Sequence, residues 1–232
     1  MDTITLAELI EQAVADPSQS NLTGNLEDFM RLLSEENLSR LEEEHQGAFA
    51  FLAFHPSADI HVADYVRSGT LASDTGPGVL AFFTLDEGAT SSPPSPLSDG
   101  ITVEGDVHIA YEVTRLLFSP QVAPPLPGVL FTGRVSGVGD AVYVPLGDLA
   151  DTEQVRSRLR LAFSLANQTM STDGGRSDFS DRFAKALLSE RIEYQRTGRR
   201  SMGEWMRKSY RRIVDNGFEL AAVLGGVLGG QL

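Results

Sequence analysis

The chain has 232 residues, 41% of them hydrophobic and 12 of them Phe, and a net charge of −13. That much apolar side chain can bury a sizeable core, which excludes disorder over the whole length. There is no cysteine, so disulfides, thiolate metal centres and cysteine nucleophiles are excluded.

The charge is unevenly spread. Residues 1–150 carry 22 acidic and 5 basic side chains, a net of −17, whereas residues 151–232 carry 10 acidic and 14 basic, a net of +4. The asymmetry divides the chain into an acidic body (1–150), a basic region packed on it (151–216) and an apolar, Gly-rich tail (217–232). The opening MDTITLAELIEQ has neither a basic region nor an apolar run, so no secretory signal is expected and a cytoplasmic location is the default.

In chain order, residues 3–16 fit a short amphipathic helix stopped before Pro17, and 25–33 fit a second. Ser34 is a good N-cap for a third helix running through Glu42–Glu44. AFAFLAF (48–54) is a continuous apolar run of buried-strand length, 58–67 fits either a helix or an alternating strand, and GVLAFFTL (78–85) is the clearest buried strand. The polar GATSSPPSPLSDG (88–100) reads as surface loop. A helix is expected over 106–118, followed by the Pro-rich SPQVAPPLPG, in which APPLP (123–127) suits polyproline II. GVLFTGR (128–134) and AVYVPLG (141–147) read as strands joined through VSGVGD.

All 11 prolines lie at or before Pro145, so the last 87 residues suit a series of helices. These are expected at 152–170, at 178–196 with Leu188 and Ile192 on a second apolar side, and at 201–216. The last opens with a capping box, Ser201 and Glu204, and ends at Gly217. The fold class expected is α/β: a mixed, partly parallel sheet of about four to five strands, N-terminal helices and an all-helical C-terminal region.

Helix 201–216 would present Met202, Trp205, Met206, Tyr210 and Ile213 on one stripe and Arg207, Lys208, Arg211 and Arg212 on the other. With Arg191, Arg196, Arg199 and Arg200 just before it, eight basic residues fall within 22 positions. Such forks bind phosphate or carboxylate, so Arg199, Arg200, Trp205, Arg207, Lys208, Tyr210, Arg211 and Arg212 form a candidate partner or anion surface. A protein partner or a second copy is expected, with nucleic acid or an anionic membrane as further readings. A solvated face answering the protein's own acidic body is the plain alternative.

The tail carries no charge from Leu220 onward, and is too short for a standard membrane-spanning helix. Leu220, Val223, Leu224, Gly225, Gly226, Val227, Leu228, Gly229 and Gly230 are candidate docking residues, with closure of the chain's own core as the alternative.

His108 and Glu112 stand at helical i, i+4 spacing, and with His61 and Asp64 could ligate a metal able to hydrolyse a phosphoester. No metal or other cofactor is expected, and nothing in the sequence brings these four together. DGGRSD (173–178) precedes a helix, where Arg176 could assist an anion. The leading expectation is a non-enzymatic interaction or assembly protein that docks through the basic helix and tail. A metal-dependent phosphoester hydrolase, perhaps a nuclease, and a membrane-active effector are the alternatives.

Overall fold

The computed structural model describes residues 4–5, 33–85, 109–118, 124–172, 176–215 and 219–224. In chain order the elements are β1 (Ile4–Thr5), α1 (Glu35–Glu44), β2 (Ala48–Ala53), α2 (Ile60–Arg67), α3 (Leu71–Thr75), β3 (Val79–Leu85), α4 (Ile109–Arg115) and β4 (Gly128–Thr132). They continue with β5 (Val138–Gly139), β6 (Ala141–Pro145), α5 (Thr152–Ser171), α6 (Phe179–Ser189), β7 (Gln195–Arg196), β8 (Arg200–Ser201), α7 (Met202–Asp215) and β9 (Glu219–Leu224).

The two apolar runs pair with each other. β2 and β3 lie parallel, Ala48 opposite Val79 through Phe51 opposite Phe82. Around them the sheet runs β1-β9-β3-β2-β4-β6-β7, every other pairing antiparallel. Five strands of five to seven residues make its body, and two-residue strands close its edges. The fold is α/β with a mixed, partly parallel sheet, as expected.

Strand alternation sends successive side chains to opposite faces, and both faces are covered. Ala48, Ala50, Leu52 and Phe83 pack with α2, α3, α5 and α6 through Tyr65, Leu71, Phe163 and Phe183. Phe49, Phe51, Leu80 and Phe82 pack with α1, α4 and α7 through Leu38, Val113, Trp205 and Met206. The result is three layers, helices on either side of a sheet. Burial on both faces is why β2 and β3 read as unbroken apolar runs.

Several boundaries differ from the sequence reading. Ile4 and Thr5 pair with β9 as strand, so the helix expected over 3–16 does not hold at its start; the remainder of that helix and the one at 25–33 lie largely outside the described residues. The stretch 60–67 is helical. Helix α5 begins at Thr152 as expected, and its N-cap is Asp151, whose carboxylate accepts from the Gln154 amide at 2.8 Å.

Helix α6 ends at Ser189 instead of Arg196, because Arg191 turns to φ 57 and the chain returns to the sheet as β7. Leu188 therefore stays 66% exposed and α6 is not sandwiched. The C-terminal region is thus not all-helical: β7, β8 and β9 come from it. Ser34 and Ser201 do cap as read, accepting from Asn37 at 3.2 Å and Glu204 at 3.3 Å. Gly217 lies outside the described residues. Among those described, no helix is long and apolar enough to cross a membrane.

Candidate functional site

The basic helix is anchored by its apolar stripe. Met202, Trp205, Met206, Tyr210 and Ile213 are all core residues. Trp205 Nε1 donates to the Val113 carbonyl at 2.9 Å, and its ring meets Phe51 edge-on at 6.0 Å. Trp205 and Tyr210, expected among the docking residues, are therefore spent on packing against α4 and the sheet.

The charged face is largely answered from within. Arg207 reaches Glu35 at 3.4 Å, Lys208 reaches Glu204 at 2.5 Å, and Arg212 pairs with Glu112. Arg200 Nε donates to the Leu117 carbonyl at 3.4 Å. Arg211 lies on the exposed side of α7. Exposed pairs of this kind contribute little each, but they reduce the charge α7 offers a partner.

The tail divides. Leu220, Val223 and Leu224 belong to β9, whose backbone pairs with β3 over 219–224 and with β1 at Ala221 and Ala222. A strand hydrogen-bonded on both sides has no free edge there to lend a partner. Gly225, Gly226, Val227, Leu228, Gly229 and Gly230 lie outside the described residues.

The four metal-ligand candidates do not converge. His61 and Asp64 are on α2, on one side of the sheet, and Glu112 is on α4, on the other. His61 stands 3.5 Å from Thr152 Oγ1, Asp64 pairs with Arg67 at 3.7 Å, and Glu112 pairs with Arg212. His108 lies outside the described residues. Among those described, no three His, Asp or Glu side chains are grouped to hold a metal.

What the fold does assemble is a cleft of about 370 Å³ walled by Arg134, Arg176, Arg196 and Arg199, with Asp140 and Asp181. A bulge sets its shape. Gly139 pairs with Arg200 and Val142 with Arg196, so Asp140 and Ala141 on one strand face Thr197, Gly198 and Arg199 on the other. Side chains three apart on a regular strand point to opposite faces; the extra residue reverses that parity and lets Arg196 and Arg199 line one cleft. Gly198 supplies the left-handed conformation the bulge needs, at φ 68.

Asp140 ties the bulge down, accepting from Arg196 Nε at 2.9 Å and from Thr197 Oγ1 at 3.1 Å. Arg196 also reaches Asp181 at 2.6 Å. Burial works against its charge, yet these carboxylates prevail and raise its pKa. Arg176 is bound differently: it donates to the carbonyls of Glu42, His45 and Gly133 and lies over the Phe49 ring at 5.7 Å. Burial lowers its pKa, Glu42 at 3.9 Å partly offsets this, and Arg134 adds like-charge repulsion.

Arg134 and Arg199 are different again. Both are exposed, and among the described residues no carboxylate pairs with either. Among the described residues nothing accepts from either guanidinium, so the cleft presents two forks to a ligand. Of the cleft's arginines, the sequence alone points to Arg199 and, as an anion-assisting residue, to Arg176. Arg134 escapes that reading because only the distant strand pairing brings residue 134 beside residue 199.

A larger recess, about 920 Å³, lies between residues 44–47, the end of α3 with the 76–78 turn, and α5. Its buried acid, Asp74, is already met by Arg156 at 3.0 Å, Arg160 at 3.4 Å and Tyr65 Oη at 3.2 Å, so that cluster holds α2, α3 and α5 together.

Fold and site together define a three-layer α/β protein with an arginine-walled cleft at one end of its sheet. No family model matches the chain, and neither the curated proteins nor the solved structures include a match to it.

Proposed function

We propose that this is a non-enzymatic interaction protein whose basic C-terminal region docks an acidic segment of a protein partner, with the arginine cleft at the centre of the contact. The observation that carries the reading is the pair of guanidinium groups, Arg134 and Arg199, in one cleft with no carboxylate partner among the described residues. Arg196, and Arg207 and Arg212 on α7, by contrast already have internal carboxylates. A guanidinium is always charged and presents a planar fork suited to carboxylate or phosphate. Val138, 50% exposed at the cleft rim, adds an apolar contact.

The docking surface is thereby narrower than the one read from sequence: it centres on Arg199 and Arg134, with Arg207, Lys208, Arg211 and Arg212 as a peripheral field. Self-association is the other form of the same reading, since residues 1–150 carry a net charge of −17. A cytoplasmic setting belongs to the proposal.

The test is binding of a fluorescent Glu-rich peptide to wild type and to an Arg134→Glu/Arg199→Glu double variant, in 50 and 200 mM salt. Salt-sensitive binding by wild type, weakened at least about tenfold in the variant with its melting temperature unchanged, is expected. Equal binding by the two proteins, or none by either, would overturn the reading. Light scattering on the same samples separates a second copy from a foreign partner.

A further inference from the structure

We infer that the cleft is built for a phosphate monoester carried on a protein partner, an inference that rests on the docking reading above. A carboxylate offers two oxygens, and one arginine fork in bidentate geometry engages both. Here two forks with no carboxylate partner among the described residues, Arg134 and Arg199, line a single cleft, and a phosphate monoester brings three terminal oxygens for them to share.

The charge of the cleft favours the same ligand. Four guanidinium groups and two carboxylates line the cleft, a surplus of two positive charges. Glu42, behind Arg176 at 3.9 Å, tempers the deeper side. A phosphomonoester at neutral pH carries about −1.5 to −2, whereas a phosphodiester carries a single charge. The monoester is therefore the better match.

The cleft is also rigid on one side. Asp140 and Asp181 fix Arg196, and three backbone carbonyls fix Arg176, so these two form a set wall. The polar groups of the floor are satisfied internally: Ser180 Oγ donates to the Asp140 carbonyl at 2.6 Å, and Thr132 Oγ1 to the Arg134 carbonyl at 2.9 Å. Recognition falls to the two remaining arginines, with little reorganisation of what surrounds them. About 370 Å³ admits a phosphorylated side chain.

The experiment compares one acidic peptide in three forms, with phosphoserine, Glu or Ser at its centre, alongside a single-stranded oligonucleotide. Affinities are read by fluorescence anisotropy from pH 5.5 to 7.5 against wild type, Arg199→Lys and Arg134→Lys. The phosphoserine form is expected to bind at least about tenfold tighter than the Glu form. Its advantage should grow as the pH passes about 6, where the phosphate takes its second charge while arginine does not titrate. Each Lys variant, keeping charge but losing the fork, should remove most of that advantage.

Equal binding of the phosphoserine and Glu forms, both lost in Arg134→Glu/Arg199→Glu, overturns the phosphate inference and leaves the docking reading standing. No binding of any peptide overturns both. Tighter binding of the oligonucleotide than of the phosphopeptide also overturns the inference, in favour of a nucleic-acid backbone.

Discussion

Arg176 closes the carboxyl end of α1 by donating to the Glu42 carbonyl, and its guanidinium stands 3.9 Å from the Glu42 carboxylate. The last carbonyls of a helix have no partners within it, and α1 has no basic residue in its own last turn. Arg176 supplies the cap from a distant segment. Glu42 in turn accepts from the amides of Val135 at 2.7 Å and Ser136 at 2.6 Å, so the same pair clamps the 133–137 turn that forms one cleft wall.

Replacing Arg176 by Met should therefore cost about 2–3 kcal/mol, the range for losing charged hydrogen bonds at a mostly buried site. Lys, a point charge without the fork, should recover only part of it. Urea unfolding checks this; a loss below about 1 kcal/mol for Arg176→Met would show that α1 closes without it.

Arg196 and Arg199 lie three residues apart and play opposite parts. Arg196 holds Asp140, whose side chain is only 14% exposed, and Asp181; Arg199 holds no carboxylate among the described residues. Arg199→Ala should thus change stability by less than about 0.5 kcal/mol, as surface substitutions commonly do. Arg196→Ala should cost about 1–3 kcal/mol, since it strands a largely buried carboxylate. Thermal melts of the two variants decide the matter, and equal losses would contradict the division of roles.

Gly198 connects the backbone to that division. An added Cβ there would meet nothing within 4 Å, but φ is 68. Gly198→Ala should then cost about 1–2 kcal/mol from conformation alone. Asparagine, which tolerates the left-handed region, should cost less. A bulge relaxed by alanine would also turn Arg199 from the cleft, so peptide affinity should fall with stability. Unchanged affinity in a destabilised Gly198→Ala would separate the bulge from the site.

What could be read from the sequence was what depends on neighbours along the chain. Ser34 and Ser201 announced their helices because a cap acts within three residues. GVLAFFTL announced a strand because both sheet faces bury it. The end of α6 was hidden: nothing in ERIEYQR forbids helix, and Arg191 adopts a left-handed turn where Gly or Asn is the usual signal. β9 was hidden because ELAAVL fits helix, tail or strand equally until β3 is there to pair with it. The cleft was hidden for the same reason. Arg134 and Arg199 share it only because residues 138–142 pair with 196–201.

Trp205, the one tryptophan in the chain, reports on how α7 is seated. Its indole donates to the Val113 carbonyl at 2.9 Å and is 5% exposed. Trp205→Phe should cost about 1–3 kcal/mol, by deleting that donor and leaving the carbonyl unsatisfied in an apolar layer. Its fluorescence should be blue-shifted in the native protein and should shift red in the same urea transition that circular dichroism follows. A red-shifted native spectrum would contradict the burial of α7.

His45 makes the fold less stable in mild acid. Its Nε2 lies 3.0 Å from the Ala48 carbonyl, which can only accept, so the ring proton sits on Nε2. Burial lowers its pKa below the usual 6.5; the Ala48 bond offsets part of this, and the Arg176 charge adds to the lowering. The unfolded chain then binds the proton more readily than the folded one. Stability is therefore full above about pH 6.5 and falls as the pH drops from there toward the folded pKa. One group can add at most about 1.4 kcal/mol per pH unit to the slope. Urea unfolding of wild type and His45→Gln between pH 7.5 and 5.5 isolates it. The wild type should lose stability more steeply, and parallel curves would mean that His45 is protonated as easily in the fold as outside it.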